Sequence, residues 1–380
     1  MMHWWKTVGL AAIFAALVGL GTAASCGGDD SGADAADTPT DDATTDDGGG
    51  RVESNPTDGV RADFVISSLR IGNQDDGEGF NLDGQNTPAG HPYLPQDGPG
   101  GVDNQLGSLL HELYEAGLDF DADADIARSI ESGDLIIILS HRDVDSWTSD
   151  PGWVPLFGYA GKDADDPEDP TNNLTGTGRF LIDPQSLTDP TDEDTALISF
   201  PQGILNDTTA ADGNLQRGDF EAGPSLFAVD LTVQDDRQLH LEMNGTRIVW
   251  DLETAPAGNP GLNGRIRNGL IGGYILLGDA ARAIARLDLA GSDIDINTIR
   301  NILQGQADMD VVPEGFTDDP CTVATTQTDC APGQGCEADA TRGGAYYCWE
   351  YDGVGDAISV GLVFTAVSCE TVGIYTETTP

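Results

Sequence analysis

Near the end of the chain, apolar residues alternate with small and polar ones. Residues 358–365 read Ile-Ser-Val-Gly-Leu-Val-Phe-Thr, and this period of two predicts a half-buried β-strand. A strand cannot satisfy its backbone hydrogen bonds alone, so it needs neighbouring strands from earlier in the chain. We therefore expect one β-rich body domain over residues 61–380, interrupted by an insertion at 317–350 that has a different composition.

The rest of the body carries many strand patterns and fewer helical ones. Strand patterns occupy 64–71, 135–139, 154–160, 178–182, 196–200, 225–233, 238–243 and 246–252. Asn244-Gly245, between the last two, predicts a hairpin turn. Apolar spacing predicts helices over 104–116, 125–132, 279–287 and 297–305. The expected fold class is mainly β, with a β-sandwich-like body and several peripheral helices; an α+β fold is the alternative.

The charge balance excludes several functions. The chain has 65 Asp and Glu against 17 Lys and Arg, a formal net charge of -48. Nucleic-acid binding needs a basic face that displaces counterions from phosphates, and we expect no nucleic-acid partner. Beyond Lys6 the only lysine is Lys162, in a Gly/Asp/Pro-rich context, which argues against P-loop and Schiff-base chemistry.

The first 25 residues are typical of an export signal. Lys6 precedes an apolar stretch that is too short for a stable membrane span, and the segment ends Ala-Ala-Ser-Cys26-Gly-Gly. This resembles a bacterial lipobox, which implies that the Cys26 thiol receives a lipid, although Ala23 stands where leucine is usual. The alternative is ordinary signal-peptidase cleavage, with Cys26 as a bystander.

The segment that follows, 26–60, predicts a disordered acidic tether. It contains no aromatic residue and few branched aliphatic ones, so it cannot bury enough apolar surface to offset the entropy of ordering. A lipid on Cys26 would then attach the chain to a membrane and hold the body away from it. We expect an exported protein at the outer membrane or cell surface, with an unknown surface ligand or protein partner.

Cysteine usage agrees with export. The insertion contains Cys321, Cys330, Cys336 and Cys348 in a Thr/Gly/Asp/Ala-rich context, which favours disulfides over zinc because no C-x2-C pair or following histidine is present. Four cysteines permit three pairings. The pattern resembles short C…DC..G..C…C modules of exported proteins, which implies the interleaved pairs Cys321–Cys336 and Cys330–Cys348. Cys369 is then a buried free thiol or a substitute partner.

The first candidate metal site is the loop Asn-Leu-Asp-Gly-Gln-Asn at 81–86 together with Asp103. It resembles the D-x-D-G-D-G…D-N loops of exported calcium-binding repeats, in which alternate oxygen ligands surround Ca2+. The resemblance implies Asn81, Asp83 and Asp103 as ligands, with a carbonyl from Gln85. Amides in place of acids lower the ligand charge. The alternative is a polar turn that caps the helix at Asn104.

The second candidate places acids at every second position. Asp119, Asp121 and Asp123 precede Asp125, and like charges this close are costly unless a cation or solvent screens them. The spacing is that of a degenerate EF-hand loop without its central glycine and closing acid. The favoured interpretation is a solvated acidic turn in which Asp125 caps the following helix.

Catalytic patterns are few. His111 lacks the second histidine of a zinc-protease helix, and Ser140-His141-Arg142-Asp143 follows a buried strand without any other catalytic signature. An Asp143–His141 pair that supports a serine is the remaining catalytic alternative. We assign no catalytic residue.

Several features together resemble outer-membrane or surface lipoproteins of the kind found in myxobacteria and related groups. They are the lipobox, the Gly/Asp/Thr tether, the DG…DNQLG loop and the terminal VGLVFTAV. The resemblance implies location more than activity. We expect a lipid-anchored, noncatalytic envelope protein with a binding or structural role, stabilised by Ca2+ and disulfides. The alternatives are a surface hydrolase acting on polysaccharide or peptide, and an acidic surface adapted to high salt.

Overall fold

A computed structural model provides the structure of the chain. It describes residues 60–91, 93–116, 121–146, 149–150, 152–167, 169–207, 216–234, 237–254, 264–286, 296–311, 322–324, 334–339, 345–350 and 355–376. The strands are β1 Val60–Ile71, β2 Ile137–Val144, β3 Leu156–Asp163, β4 Arg179–Ile182, β5 Ile198–Phe200, β6 Ile204–Asp207, β7 Gln216–Gln234, β8 Arg237–Thr254, β9 Arg265–Leu276, β10 Thr322–Ala324, β11 Gln334–Asp339, β12 Ala345–Glu350 and β13 Ala357–Ile374. The α-helices are α1 Leu106–Glu115, α2 Ala122–Glu131, α3 Leu277–Arg286 and α4 Ile296–Gln306.

The mainly β class is confirmed, but the sandwich-like body is wrong, because part of the sheet closes into a barrel. Strands β1, β2, β3, β4 and β13 follow one another around this barrel, and β13 pairs with β1 to close it. The closing contact is antiparallel and places Asp63 of β1 opposite Cys369 of β13. Strand β4 runs parallel to the last residues of β13, with Arg179 opposite Glu370. Closure satisfies strand edges that a sandwich would leave open.

The alternating strand predicted at 358–365 is the central part of β13, which has 18 residues. It is long enough to pair both with a strand of the barrel and with a strand of the open part of the sheet. Residues from Leu362 onward contribute to the barrel, while residues 357–367 pair antiparallel with β9. From β9 the sheet continues through β8 and β7 to β6. A strand predicted from local alternation therefore lies between the barrel and the open part of the sheet.

The buried apolar side chains form two clusters. The smaller is contributed by the barrel strands and includes Val65, Ile138, Tyr159, Phe180 and Cys369. The larger combines other side chains of β1, β2 and β3 with those of the open part of the sheet and the helices. Its members include Phe64, Leu106, Ile126, Trp250, Ile284, Leu303 and Phe364. Burial of this apolar surface is the main favourable term that holds helices and sheet together.

The hairpin predicted at Asn244-Gly245 is wrong. Strand β8 runs unbroken from Arg237 to Thr254, and the chain reverses between Gln234 and Arg237 instead. Gly245 has a φ of 58°, and the pairing of β8 with β9 shifts register beside it. A Cβ atom on Gly245 would approach the ring of Tyr274 to 2.8 Å. The Asn-Gly pair therefore forms a bulge against an aromatic ring, because neighbouring strands continue the ladder on both sides.

Helix α2 begins earlier than the pattern predicted. Its first residue is Ala122, and the Asp121 side chain caps it by accepting the Ala124 N–H at 3.2 Å. Asp125, predicted to be the cap, lies inside the helix and pairs with Arg128 at 2.7 Å.

The insertion contributes a separate three-stranded sheet in the order β10-β12-β11. In the described part of the chain, no helix is long and apolar enough to cross a membrane.

Candidate cation-binding loop

The loop between β1 and α1 lies on β9 and β13. Asn104 holds it there through its side-chain amide. The Asn104 Nδ2 donates to the carbonyl oxygens of Gly72 at 2.9 Å and Glu78 at 2.8 Å, and Oδ1 accepts the Gly361 N–H at 2.8 Å. The sequence suggested that Asn104 belongs to a polar turn that caps α1. The helix has Gln105 as its N-cap, without a side-chain bond, and Asn104 fastens the loop to the sheet instead.

Two glycines make this close approach possible. Gly272 of β9 lies opposite Gly361 of β13, so the sheet has no side chain at either position. A Cβ atom on Gly361 would approach the Asn104 Nδ2 to 2.6 Å, and one on Gly272 would collide with the ring of Phe80. The paired glycines thus form a flat area on which the loop rests.

The four residues predicted to bind calcium come together in this loop. Phe80 and Asp103 form an antiparallel bridge, and the Asp103 Oδ2 accepts the Leu82 N–H at 2.6 Å. The Asp83 Oδ1 accepts the Gln85 N–H at 2.7 Å. The Asn81 Nδ2 donates to the Gln85 carbonyl oxygen at 2.8 Å. Backbone and side-chain bonds therefore fold 81–85 back onto Asp103.

Two oxygen atoms of this set are buried without a hydrogen-bond partner. They are the Oδ1 of Asp103, a residue only 1% exposed, and the Oδ1 of Asn81. A buried acceptor without a donor costs about 1–3 kcal/mol, and more for a charged group. Burial, together with the nearby charges of Asp83, Asp308 and Asp97, raises the pKa of Asp103 to about 8, although the bond from Leu82 opposes this. Without a cation Asp103 is therefore mostly protonated near neutral pH, and a bound cation would favour its ionised form.

Two further buried acids, Asp97 and Asp308, lie beside this group and were not among the predicted ligands. The Asp97 side chain accepts the Thr87 N–H, and the antiparallel bridge between Gly98 and Val102 brings Asp97 beside Asp103. Asp97 belongs to an Asp-Gly turn in the long segment between Asn86 and Val102. This Asp-Gly pair is a sequence signal that could have identified Asp97. Asp308 follows α4, so only the tertiary structure brings it near.

Asp308 connects the same region to β13. Its Oδ1 accepts the Ser359 N–H at 2.8 Å, and its Oδ2 accepts the Ser359 hydroxyl. The Ser359 Oγ accepts the Gln105 N–H at 2.9 Å. Burial raises the pKa of Asp308 to about 7. Asp308 thus fastens the start of α1 to the sheet through Ser359.

Buried acids elsewhere are compensated differently. Arg61 pairs with Asp63 at 2.9 Å, and Arg265 and Arg267 pair with Glu253 at 2.8 and 2.9 Å. Within the described ranges, no Lys, Arg or His forms an ion pair with any of the four acids near the loop. These are Asp83, Asp97, Asp103 and Asp308. The loop therefore brings four carboxyl groups together without a described cationic side chain paired to them.

Across the same ranges, no group of three or more His, Cys, Asp or Glu side chains is arranged to hold a metal ion. The predicted set does not require such a group. It comprises the carboxylates of Asp83 and Asp103, the amide oxygen of Asn81 and the carbonyl oxygen of Gln85. Ca2+ also accepts amide and carbonyl oxygens as ligands.

The second candidate loop uses its acids in other ways. Asp119 lies outside the described residues, and Asp121 is the cap of α2. The Asp123 Oδ1 accepts the Ile71 N–H at 2.8 Å, which ties the helix to the end of β1. Helix capping and docking thus account for the two described carboxylates.

The histidine that follows the buried strand lies in the core. His141 is fully buried, and its ring makes edge contacts with those of Phe64, Phe220 and Trp250 at centroid distances of 4.9–5.4 Å. Neither ring nitrogen has a hydrogen bond of normal geometry. The neighbouring Ser140 hydroxyl donates to the Asp63 carboxylate at 2.6 Å. His141 is therefore a core residue, and neither of its ring nitrogens is bonded to Asp143.

Three of the cysteines named in the predictions, Cys26, Cys321 and Cys330, lie outside the described residues. Cys336 and Cys348 lie in β11 and β12. Cys369 is a free, buried thiol among the barrel side chains. Burial, with the nearby Asp63 charge, raises its pKa well above the usual value.

Comparisons with known proteins identify no relative. No family model, curated protein or solved structure matches the chain. Proposals about its function therefore depend on its own residues.

Proposed function

We propose that this chain is a lipid-anchored, noncatalytic protein of the cell-envelope surface, and that its loop over 80–104 binds Ca2+ as a stabilising ion. The observation that carries the calcium proposal is the buried Oδ1 of Asp103, which has no donor, beside other acids that have no cationic partner. A hard divalent cation would supply the missing charge and the missing contact together.

The ligand set also suggests the affinity. Only Asp83 and Asp103 carry charge, since Asn81 and Gln85 contribute neutral oxygens. Calcium affinity decreases when fewer of the ligands are charged. Extracellular modules bind with dissociation constants on the order of 10⁻⁴–10⁻³ M. Such a site suits the exported, membrane-attached position that Cys26 and the tether over 26–60 predict. The ion would order the loop on β9 and β13.

A calcium titration of the full chain in detergent tests this. At a calcium concentration about 100 times the dissociation constant, the stabilisation is about 2.7 kcal/mol, or roughly 5 °C in Tm for a domain of this size. Ionic strength is held constant with NaCl, so that a response to salt alone is separated from a response to calcium. A Tm that rises with NaCl but ignores both Ca2+ and EDTA would favour salt adaptation and contradict the calcium proposal.

Asp103→Asn is the decisive variant. The asparagine retains an acceptor for the Leu82 N–H but removes the charge. We expect Asp103→Asn to lose the calcium response and, in EDTA at pH 8, to melt at or above the wild-type temperature because repulsion is relieved. Asp75→Asn, an exposed acid earlier in the loop, should keep the full response. A wild-type calcium response in Asp103→Asn would exclude this residue as a ligand.

Two further measurements address the anchor and the absence of catalysis. Expression in a bacterium fed labelled palmitate should label the wild type and Cys369→Ala, but not Cys26→Ser. Label retained by Cys26→Ser would contradict the anchor.

The full chain should also show no turnover on a panel of chromogenic glycosides and peptides. Measurable turnover that follows the protein through purification would favour the surface hydrolase.

A further inference from the structure

The small sheet formed by the insertion brings two cysteines into register. Strand β11 pairs antiparallel with β12 through six consecutive residue pairs without a shift, from Gln334 opposite Glu350 to Asp339 opposite Ala345. Within that ladder Cys336 lies directly opposite Cys348. Opposite residues of an antiparallel pair have Cα atoms about 4.5–5.5 Å apart. A disulfide requires about 4.4–6.8 Å, so this register position is suited to one.

The order of the strands argues against the interleaved pairing. Strand β12 is central, and Thr322 of β10 lies opposite Cys348 from the other side. Thr322 and Cys336 are therefore separated by two strand spacings, roughly 9–10 Å. Bridging two Cα atoms more than about 7 Å apart requires backbone movement. A disulfide between the position of Thr322 on β10 and Cys336 on β11 would therefore have to cross the central strand, and Cys321 directly precedes Thr322 in the sequence.

We propose that Cys336 and Cys348 form a cross-strand disulfide that joins β11 to β12, which leaves Cys321 and Cys330 as partners for each other. In the step that forms it, one thiolate attacks the disulfide of an exported protein disulfide donor, and the second thiolate displaces the donor from the mixed disulfide. The two cysteines lose two protons and two electrons, and the donor disulfide is reduced to two thiols.

This bond would compensate for the composition of the insertion. Residues 317–350 are rich in Thr, Gly, Asp and Ala and carry few branched aliphatic residues that could form a core. A covalent link between adjacent strands restricts the unfolded segment and so favours the paired state. This disulfide depends on neither the calcium ion nor the lipid anchor.

Single cysteine variants of the exported full chain separate the three pairings. Free thiols are alkylated under denaturing conditions, and cleavage before aspartate releases 319–328 with Cys321, 329–338 with Cys330 and Cys336, and 339–351 with Cys348. In Cys336→Ser we expect the new free thiol in the Cys348 peptide. A free thiol in the Cys321 peptide would indicate the interleaved pairing, and one at Cys330 the third pairing; either would overturn the proposal.

Cys330→Ser provides the reciprocal test if Cys336→Ser does not accumulate. Here the proposal expects the free thiol in the Cys321 peptide, whereas the interleaved pairing exposes Cys348 and the third exposes Cys336. The Cys369 peptide, 356–380, serves as an internal control, because its thiol should be alkylated in every variant. Four alkylated cysteines in the wild-type insertion would overturn the proposal outright.

Discussion

The side chain of Asn104 holds Gly361, which lies 257 positions further along the chain. Its Oδ1 accepts the Gly361 N–H at 2.8 Å, and its Nδ2 donates to the Gly361 carbonyl oxygen at 3.3 Å. The side-chain amide of Asn104 thus satisfies both backbone polar groups of Gly361. This one amide couples the loop to β13. The candidate calcium ligand Asp103 is the preceding residue, and its position depends on this attachment.

Removing the amide should release the loop. Asn104→Ala leaves the Gly361 N–H and several carbonyl groups without partners, and we expect a loss of roughly 3 kcal/mol in the free energy of unfolding. The measurement is denaturant unfolding of the full chain in calcium. Asn86→Ala, an exposed asparagine of the same loop, should change stability by less than about 0.5 kcal/mol. Equal stability of the two variants would contradict the role of Asn104.

Adding a methyl group to the sheet should separate the same surfaces. The Cβ atom of Gly361→Ala would approach the Asn104 Nδ2 to 2.6 Å and the Glu78 carbonyl oxygen to 2.8 Å. We expect destabilisation of about 1–3 kcal/mol by overpacking. Gly305→Ala, whose Cβ atom on α4 meets open space, should be neutral or stabilising by up to about 1 kcal/mol. Thermal unfolding of the two variants compares the same chemical change in two surroundings.

Acid should destabilise the fold through His141. Burial lowers the pKa of His141 from 6.5 to about 4, so the folded state keeps the ring neutral while the unfolded chain takes up a proton below pH 6.5. The unfolded state then binds more protons between pH 6.5 and 4, and stability falls as the pH falls through that window. The contribution is roughly 3 kcal/mol at pH 4.

The variant His141→Phe isolates this contribution. It retains an aromatic ring among Phe64, Phe220 and Trp250 and removes the titrating group. The stability difference between variant and wild type, from denaturant unfolding at fixed calcium, should change by roughly 3 kcal/mol between pH 7.5 and pH 4 in favour of the variant. Taking the difference cancels the contributions of the carboxylates, because both proteins share them. A pH-independent difference would show that His141 does not titrate differently on folding.

The thiol of Cys369 should be inert in the folded protein. It is buried among the barrel side chains, and its raised pKa keeps it protonated, whereas alkylation requires the thiolate. We expect iodoacetamide at pH 8 to leave the peptide 356–380 unmodified in the native chain and to modify it in guanidinium. Rapid native labelling of that peptide would mean that the barrel opens readily. Cys369→Ala confirms the assignment of the label.

Local patterns predicted the elements better than their arrangement. The alternation at 358–365 identified a strand, and the apolar spacing after Asn104 identified α1. The hairpin predicted at Asn244-Gly245 was wrong because the preference of this pair for a turn is local. The continuous pairing of the neighbouring strands outweighs that preference. The candidate ligands Asn81, Asp83, Gln85 and Asp103 were found because they share one loop.

By itself, the sequence determined the mainly β class, the acidic character and the residues of the candidate loop, because alternation and composition are properties of neighbours in the chain. Only the tertiary structure decided the closure of the barrel by β1 and β13, the burial of Asp103 and the arrival of Asp308 beside it. Those features come from contacts between residues hundreds of positions apart. A period of two specifies that a strand forms but not which strand it pairs with.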